Sequence, residues 1–505
     1  MVCRTDLRAA LQLLRFAKVS KTPEPNDPGR LAEIRKNDAE DNVLSNSAVA
    51  SSLLNQGCAC HTLDRDALCN ALIQETGDPS FCAWLVETRP HLFADVAVFV
   101  SEAQLTSMRS IVAAIETVTR HPAYQAAILG WAPASAHRDF GPRGAFMGYD
   151  FHMGPDGPAL IEVNTNAGGA MLNAVLAQAQ RSCCAPESSD FAKDDFEATV
   201  AQMFATEWVH QRGNDRNAAI AIVDDQPADQ FLYPEFLLMQ RLLEHHGHSV
   251  IIADPSELEY HDGELRSGGR RIDLVYNRLV DFSLDAAEHN ALRRAYLDGS
   301  VVVTPNPHVH ALLADKRNLT LLSDSGLLRS WGFDQHLIDT LSQGIPRTRR
   351  VTAAAADGLW ARRKQLFFKP ATGYGSKAAY RGEKLTKSVW ADILRGEYVA
   401  QAFVPPSERV VWLDGEPQTR KIDIRLYTYD GHVLLAAARL YQGQTTNMRT
   451  VGGGFAPVLL TVGSDPLAAA SDVRRCSVLF PLKPEAASAL IKLEADCKTR
   501  SADTS

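Results

Sequence analysis

The sequence predicts an α/β protein of several packed units, with α+β lobes joined to a unit built on a parallel sheet. Three observations carry this reading. Residues 218–223, 235–246 and 249–252 run strand, helix, strand, an order that closes as a right-handed crossover in a parallel sheet. Residues 145–152 and 159–164 read as two strands joined by the turn Gly154-Pro155-Asp156-Gly157-Pro158. At 505 residues and 45% hydrophobic composition the chain also exceeds the roughly 250 to 300 residues at which one core stops growing.

Residues 1–50 form a leader expected to be mobile, polar and of mixed charge, whose start is basic (Arg4, Arg8, Arg15, Lys18, Lys21). Asp6 interrupts that basic run and no clear cleavage site follows, so a targeting segment is not favoured. Residues 51–140 carry helical spacing, for example Leu105, Met108, Ile111, Ile115 and Val118. Residues 141–210 contain the hairpin and then a helix over 170–180. Residues 216–315 hold the strand-helix-strand unit, with further strands at 273–276 and 301–303. Residues 316–404 contain strand 366–369, a glycine loop at 372–376 and strand 398–404. In 405–470, strands 422–429 and 433–441 flank the turn Asp430-Gly431, and 471–505 is expected to be a helix and tail.

The net charge of -8 argues against nucleic acid as the main partner, because phosphate neutralisation needs a basic face. No window reaches the roughly 18 apolar residues of a membrane helix, so no membrane partner is expected. Nine cysteines, an odd number, lack the even framework of small secreted domains and read as free thiols of a cytoplasmic protein. Cys58, Cys60, Cys69 and Cys82 with His61 lack the paired spacing of structural zinc.

The chemistry concentrates in a few segments. Glu162 and Asn164 lie two apart on a strand, so both side chains leave from one face, and the hairpin folds Asp150 back beside them. Two carboxylates and an amide oxygen make a hard, oxygen-only set suited to Mg2+ or Mn2+; a strand with one solvated polar face is the plainer alternative. Residues 367–377 deliver Lys369 at a strand end ahead of Gly373, Gly375 and Ser376, whose backbone N–H groups can approach phosphate oxygens. The spacing is not that of a Walker A loop. Lys316 opens a helical pattern, where a solvated lysine is the plainer reading. Arg278 follows a parallel strand at its carboxyl end, where such sheets place ligands.

Together these residues resemble the ATP-grasp superfamily of carboxylate–amine ligases, over about residues 140–465. The resemblance implies that Lys316 and Lys369 hold phosphates and that Gln401, Ala402 and Val404 form an adenine-binding hinge. It gives Asp423 and Asn447 to the cofactor site, Arg425 and Arg449 with Lys369 to catalysis, and Asp150, Glu162 and Asn164 to the metal. Gly452 and Gly453 with Arg278 and Arg449 would meet substrate. The implied fold is an ATP-grasp large lobe over 141–210 and 405–470, a small lobe over 316–404 and a Rossmann-like unit over 216–315. The metal segment precedes the lysines, so the order looks circularly permuted, as in proteins similar to glutathione synthetase and glutathionylspermidine synthetase. The implied activity is ligation of a carboxylate to an amine on a small-molecule or peptide substrate, with ATP and Mg2+ as cofactors. An ATP-binding regulator or a phosphotransferase with the same lobes are the alternatives.

Overall fold

The computed structural model describes residues 48–58, 60, 62–180, 193–214, 218–373 and 378–461. The expected leader, most of it, and the C-terminal helix and tail lie outside the described residues, as do Gly375 and Ser376. Helices and several sheets are mixed along the chain.

The largest sheet has seven strands. Its path runs Val98–Ser101, Gly454–Thr461, His432–Tyr441, Glu416–Tyr429, Met147–Gly154 and Gly157–Asn164, with Ser407–Leu413 paired to the first half of Glu416–Tyr429. Side chains alternate across it as the strand period requires. Ile422, Ile424 and Leu426 enter one core with the helices Glu102–Thr119 and Gln335–Gly344. Tyr427 and Ala437 enter the other, with helices Ala170–Gln178, Lys193–Arg212 and Tyr233–His245. Glu102–Thr119 starts cleanly because Ser101 and Gln104 form a reciprocal capping box.

A second sheet orders Val302–Thr304, Leu274–Asn277, Ala219–Val223 and Ser249–Ala253, all parallel. Its strands are near-continuous apolar runs, as expected for a sheet covered on both faces. A third sheet is antiparallel, with Thr348–Arg350, Tyr398–Ala402, Leu366–Pro370 and Tyr380–Arg381.

Some elements differ from expectation. Val98–Ser101 is a strand in a region expected to be helical; it pairs with residues 458–461, which local periodicity does not reveal. The strand expected at 422–429 starts at Glu416, because Asp414 and Gly415, both at positive φ, turn the chain back from Ser407–Leu413. The cysteines are corrected as well. Cys69 and Cys82 form a disulfide with Cα atoms 5.3 Å apart, joining the helices Arg65–Thr76 and Phe81–Thr88, and Cys60 is also disulfide-bonded. Disulfides persist in oxidising compartments, so the cytoplasmic expectation loses the support it drew from free thiols. Among the described residues no helix is long and apolar enough to cross a membrane.

Candidate functional site

The hairpin of Met147–Gly154 and Gly157–Asn164 places Asp150 opposite Glu162 and Gly148 opposite Asn164. Between Asp150 and Phe151 the register shifts, so Ile161 is an extra residue on its strand. A bulged residue drops out of the ladder, and here the Lys369 ammonium donates to the Ile161 carbonyl at 2.8 Å. That bond brings the antiparallel small sheet against the large one. Lys316 reaches the same space and donates to the Gly373 carbonyl at 3.0 Å. The cleft between the sheets, about 1180 Å³ with its open mouth, is lined by Asp150, Glu162, Asn164, Lys316 and Lys369 among others.

Glu162 is only partly buried and, among the described residues, its carboxylate accepts one hydrogen bond, a long one of 3.4 Å from the Asn164 amide. Burial would raise its pKa, but Lys316 and then Lys369 hold it below the usual carboxylate range. Lys369 is buried and its pKa falls to about 8, Glu162 opposing the shift. Charged groups of both signs therefore face one space across an incomplete hydrogen-bond set.

Asp150 is bound differently. Its two oxygens accept from Arg425 Nε at 2.6 Å and Nη2 at 2.7 Å, from Arg439 Nη2 at 2.8 Å and from the Asn164 amide at 3.0 Å. Burial alone would raise Asp150, yet the Arg425 and Arg439 guanidinium groups beside it hold it at about 2. Arg439 also donates through Nε to Asp423 at 2.6 Å, and the Thr446 hydroxyl donates to the same carboxylate. Strand register explains the network, since Arg425 pairs with Asp150 and Arg439 with Asp423 in adjacent antiparallel ladders. Arg439 was not singled out from sequence; it comes opposite Asp423 through the register shift at Tyr427 and Thr428, which the sequence does not show.

Several expected roles meet a different geometry. Arg425 was expected to grip a carboxylate or phosphoryl group, but its forked donors are committed to Asp150 in a buried pair. Arg449 is exposed and lines a separate shallow concavity with Asn447 and Arg420, outside the cleft. The Asn447 side chain serves its own loop, donating to the Gln442 carbonyl and accepting from Arg449 N and Thr450 Oγ1. Gly452 lies at positive φ against Leu413, and a Cβ on Gly453 would stand 2.5 Å from the Leu440 carbonyl oxygen, so both serve close backbone packing. Gln401, Ala402 and Val404 do line the cleft, although the Ala402 N–H is taken by the Arg347 carbonyl. His152, unnoticed in the sequence, donates from Nδ1 to the Val404 carbonyl at 2.8 Å and ties the hairpin to that hinge. Asp423 and Gly373 line the cleft; Arg278 does not. Arg278 is buried at the carboxyl end of Leu274–Asn277, with Nη1 donating to the Tyr276 hydroxyl at 3.2 Å and Nε unpartnered.

No group of three or more His, Cys, Asp or Glu side chains among the described residues is placed to hold a metal ion. Mg2+ does not require one, because it takes one or two carboxylates and keeps substrate phosphates and water as its other ligands. Glu162 with its open oxygens and the neighbouring Asn164 amide fit that need. Asp150 carries three donors on Oδ2 and one on Oδ1, so only Oδ1 has room for a further ligand.

No family model and no curated protein matches the chain. Among solved structures it is similar to a glutathione synthetase-like effector from Globodera pallida, at 12% identity over 80% of this chain and 100% of that one, with TM-score 0.48. A candidate gamma-glutamylcysteine synthetase from Methylobacillus flagellatus KT aligns at 12% identity over 79% and 99%, with TM-score 0.43. The ATP-grasp ligase PsnB, complexed with a minimal precursor, aligns at 12% identity over 52% and 100%, with TM-score 0.24. These likenesses assign no role to any residue of this chain.

Proposed function

We propose that the chain is an ATP- and Mg-dependent ligase that joins a carboxylate to an amine through an acylphosphate. The observation that carries this is the meeting of Glu162 and Asn164 with Lys316 and Lys369 across one cleft, although the lysines lie more than 150 residues further along the chain. Two ammonium groups facing open space from opposite segments suit the oxygens of a polyphosphate. Residues 401–404 and the stacked Phe367 and Phe403 rings offer an apolar slot for a nucleobase beside them.

In this reading Lys316 and Lys369 orient the terminal phosphoryl group toward a substrate carboxylate, leaving Ile161 and Gly373 carbonyls to do so. Glu162 and Asn164 would hold the magnesium ion, which supplies charge neutralisation between phosphates. Asp150 and Asp423 are assigned a supporting part, fixing Arg425 and Arg439 beneath the cleft. Lobe closure would exclude water, which matters because acylphosphates hydrolyse. Arg278, with a free donor at the carboxyl edge of the parallel sheet, is the proposed recognition group for a substrate carboxylate. The parallel unit is assigned a Rossmann-like role, and the metal strand's place ahead of the lysines is read as circular permutation.

The test is a panel of amino acids, dipeptides and polyamines offered pairwise with ATP and magnesium. The expected outcome is ADP and phosphate release only with a matching pair, with an amide product found by mass spectrometry. A phosphorylated product without an amide would make the protein a phosphotransferase, and nucleotide affinity with no turnover across the panel would favour a regulator.

A further inference from the structure

One side-chain bond outside the cleft joins the two halves of the proposed nucleotide site. Thr165 follows Asn164 directly, and its Oγ1 lies 2.6 Å from His310 Nδ1. His310 is on the short helix Pro307–Leu313, which leads within a few residues to Lys316, itself anchored by its backbone N–H on the Ala371 carbonyl. The imidazole is stacked on Phe282, with centroids 3.4 Å apart and planes at 12°. Phe282 belongs to the loop after strand Leu274–Asn277, so strand, lysine segment and parallel unit all meet at one ring.

We propose that Thr165 and His310 are a positioning pair that sets Glu162 and Asn164 at a fixed distance from Lys316. The reasons are geometric. The strand ends at Asn164, and beyond a strand end the backbone has no ladder to hold its direction. Thr165 is 1% exposed, so its hydroxyl has no solvent to turn to and takes the imidazole nitrogen. Burial, with the Lys316 charge adding to it, keeps His310 well below its ordinary pKa, so the ring is neutral and one nitrogen carries a lone pair. Neighbouring bonds stiffen the same turn, since the Asn166 amide donates to the Arg278 and Leu279 carbonyls and Tyr427 donates to the Gly168 carbonyl. Of these bonds at the turn, the Thr165–His310 bond is the one that leads toward Lys316.

The proposal rests on the nucleotide reading above, and calorimetry separates the two. ATP with magnesium is titrated into wild type, Thr165→Val, His310→Phe, the double variant, Thr165→Ser and His310→Asn, with thermal midpoints and half-saturating magnesium recorded for each. Thr165→Val and His310→Phe are each expected to weaken affinity about fivefold to tenfold, the worth of one net hydrogen bond, and to raise the magnesium requirement. The double variant should be no weaker than the worse single one, because both remove the same bond. Thr165→Ser and His310→Asn, which keep a hydroxyl and an acceptor, should retain most of the affinity. Unchanged affinity in both single variants, losses that multiply in the double, or equal losses in the conservative variants would overturn the pair. If His310→Phe does not fold, the contrast of Thr165→Val with Thr165→Ser decides alone. Absence of ATP binding by the wild-type protein overturns the nucleotide reading and the pair with it, whereas silent variants of a binding protein overturn only the pair.

Discussion

On the floor of the cleft every carboxylate is partnered: Asp150 accepts from two arginines and Asp423 from Arg439 and Thr446. On its walls Glu162, Lys316 and Lys369 face one another with few bonds among them. Asp150 and Glu162 come from the same hairpin and stand directly opposite one another, whereas Lys369 arrives from the small sheet and Lys316 from the segment ahead of Asn318–Leu322. A network of charge-assisted bonds held on both sides by guanidinium groups is suited to holding shape. An unsaturated set is suited to binding, because its charged groups keep donor and acceptor capacity for a ligand. The difference teaches that carboxylate identity and strand spacing do not separate a structural acid from a ligand-binding one; the partners across the sheet do.

The sharpest way to break this contrast is Glu162→Gln. If the wall binds the metal, turnover should fall about 10²- to 10³-fold while the thermal midpoint stays near wild type. Wild-type activity in that variant would remove the metal assignment. Asp150→Asn should show the reverse emphasis, with a loss of about 3–5 kcal/mol in unfolding free energy, because Arg425 and Arg439 are left as buried, under-compensated charges. A denaturant series measures it, and a loss near zero would mean that the floor is not the rigid element.

The two regions should also separate by pH. Asp150 has its folded pKa depressed to about 2, so its contribution is fully present above the ordinary carboxylate range and disappears as pH falls from about 4 toward 2. Acid unfolding should therefore shift to higher pH in Asp150→Asn. Lys369 has its folded pKa depressed to about 8, so the folded state binds its proton less tightly than the unfolded chain does. The cost of burying that charge is present below pH 8 and is relieved as pH rises from about 8 toward 10. Phosphate binding needs the charged form, so ATP affinity should decline above about pH 8, and Lys369→Arg should flatten the profile. A flat wild-type profile would take Lys369 away from the phosphates.

Smaller effects test the packed glycine segment. Gly453→Ala should destabilise by about 1–3 kcal/mol, because the new Cβ meets the Leu440 carbonyl and Thr450. Arg449→Ala, in a separate concavity, should change ATP affinity less than twofold; a larger change would return Arg449 to the cleft.

The legible parts of the site were those fixed by local geometry. Glu-x-Asn on a strand guarantees a shared face, and the turn at Gly154 to Pro158 guarantees that Asp150 returns beside it. The bulge at Ile161 was not legible, although it supplies the carbonyl that Lys369 takes, because a one-residue slip depends on the register with the facing strand. Arg439 was missed for a related reason: an arginine in a strand shows its partner only when the adjacent ladder is known. Arg449, Gly452 and Gly453 lie in a loop, where no period constrains direction and packing against Leu413 and Leu440 settles it.

By itself the sequence determined the strand-helix-strand unit, the co-facial pair Glu162 and Asn164, and a net charge of -8, since composition and side-chain period act within a few residues. Tertiary structure alone decided that Lys316 and Lys369 arrive at that pair, that Asp150 is sequestered while Glu162 is exposed to the cleft, and that Thr165 reaches His310. Those outcomes depend on which strands lie beside one another, and pairing between segments hundreds of residues apart is settled by burial of whole sheet faces rather than by any local signal.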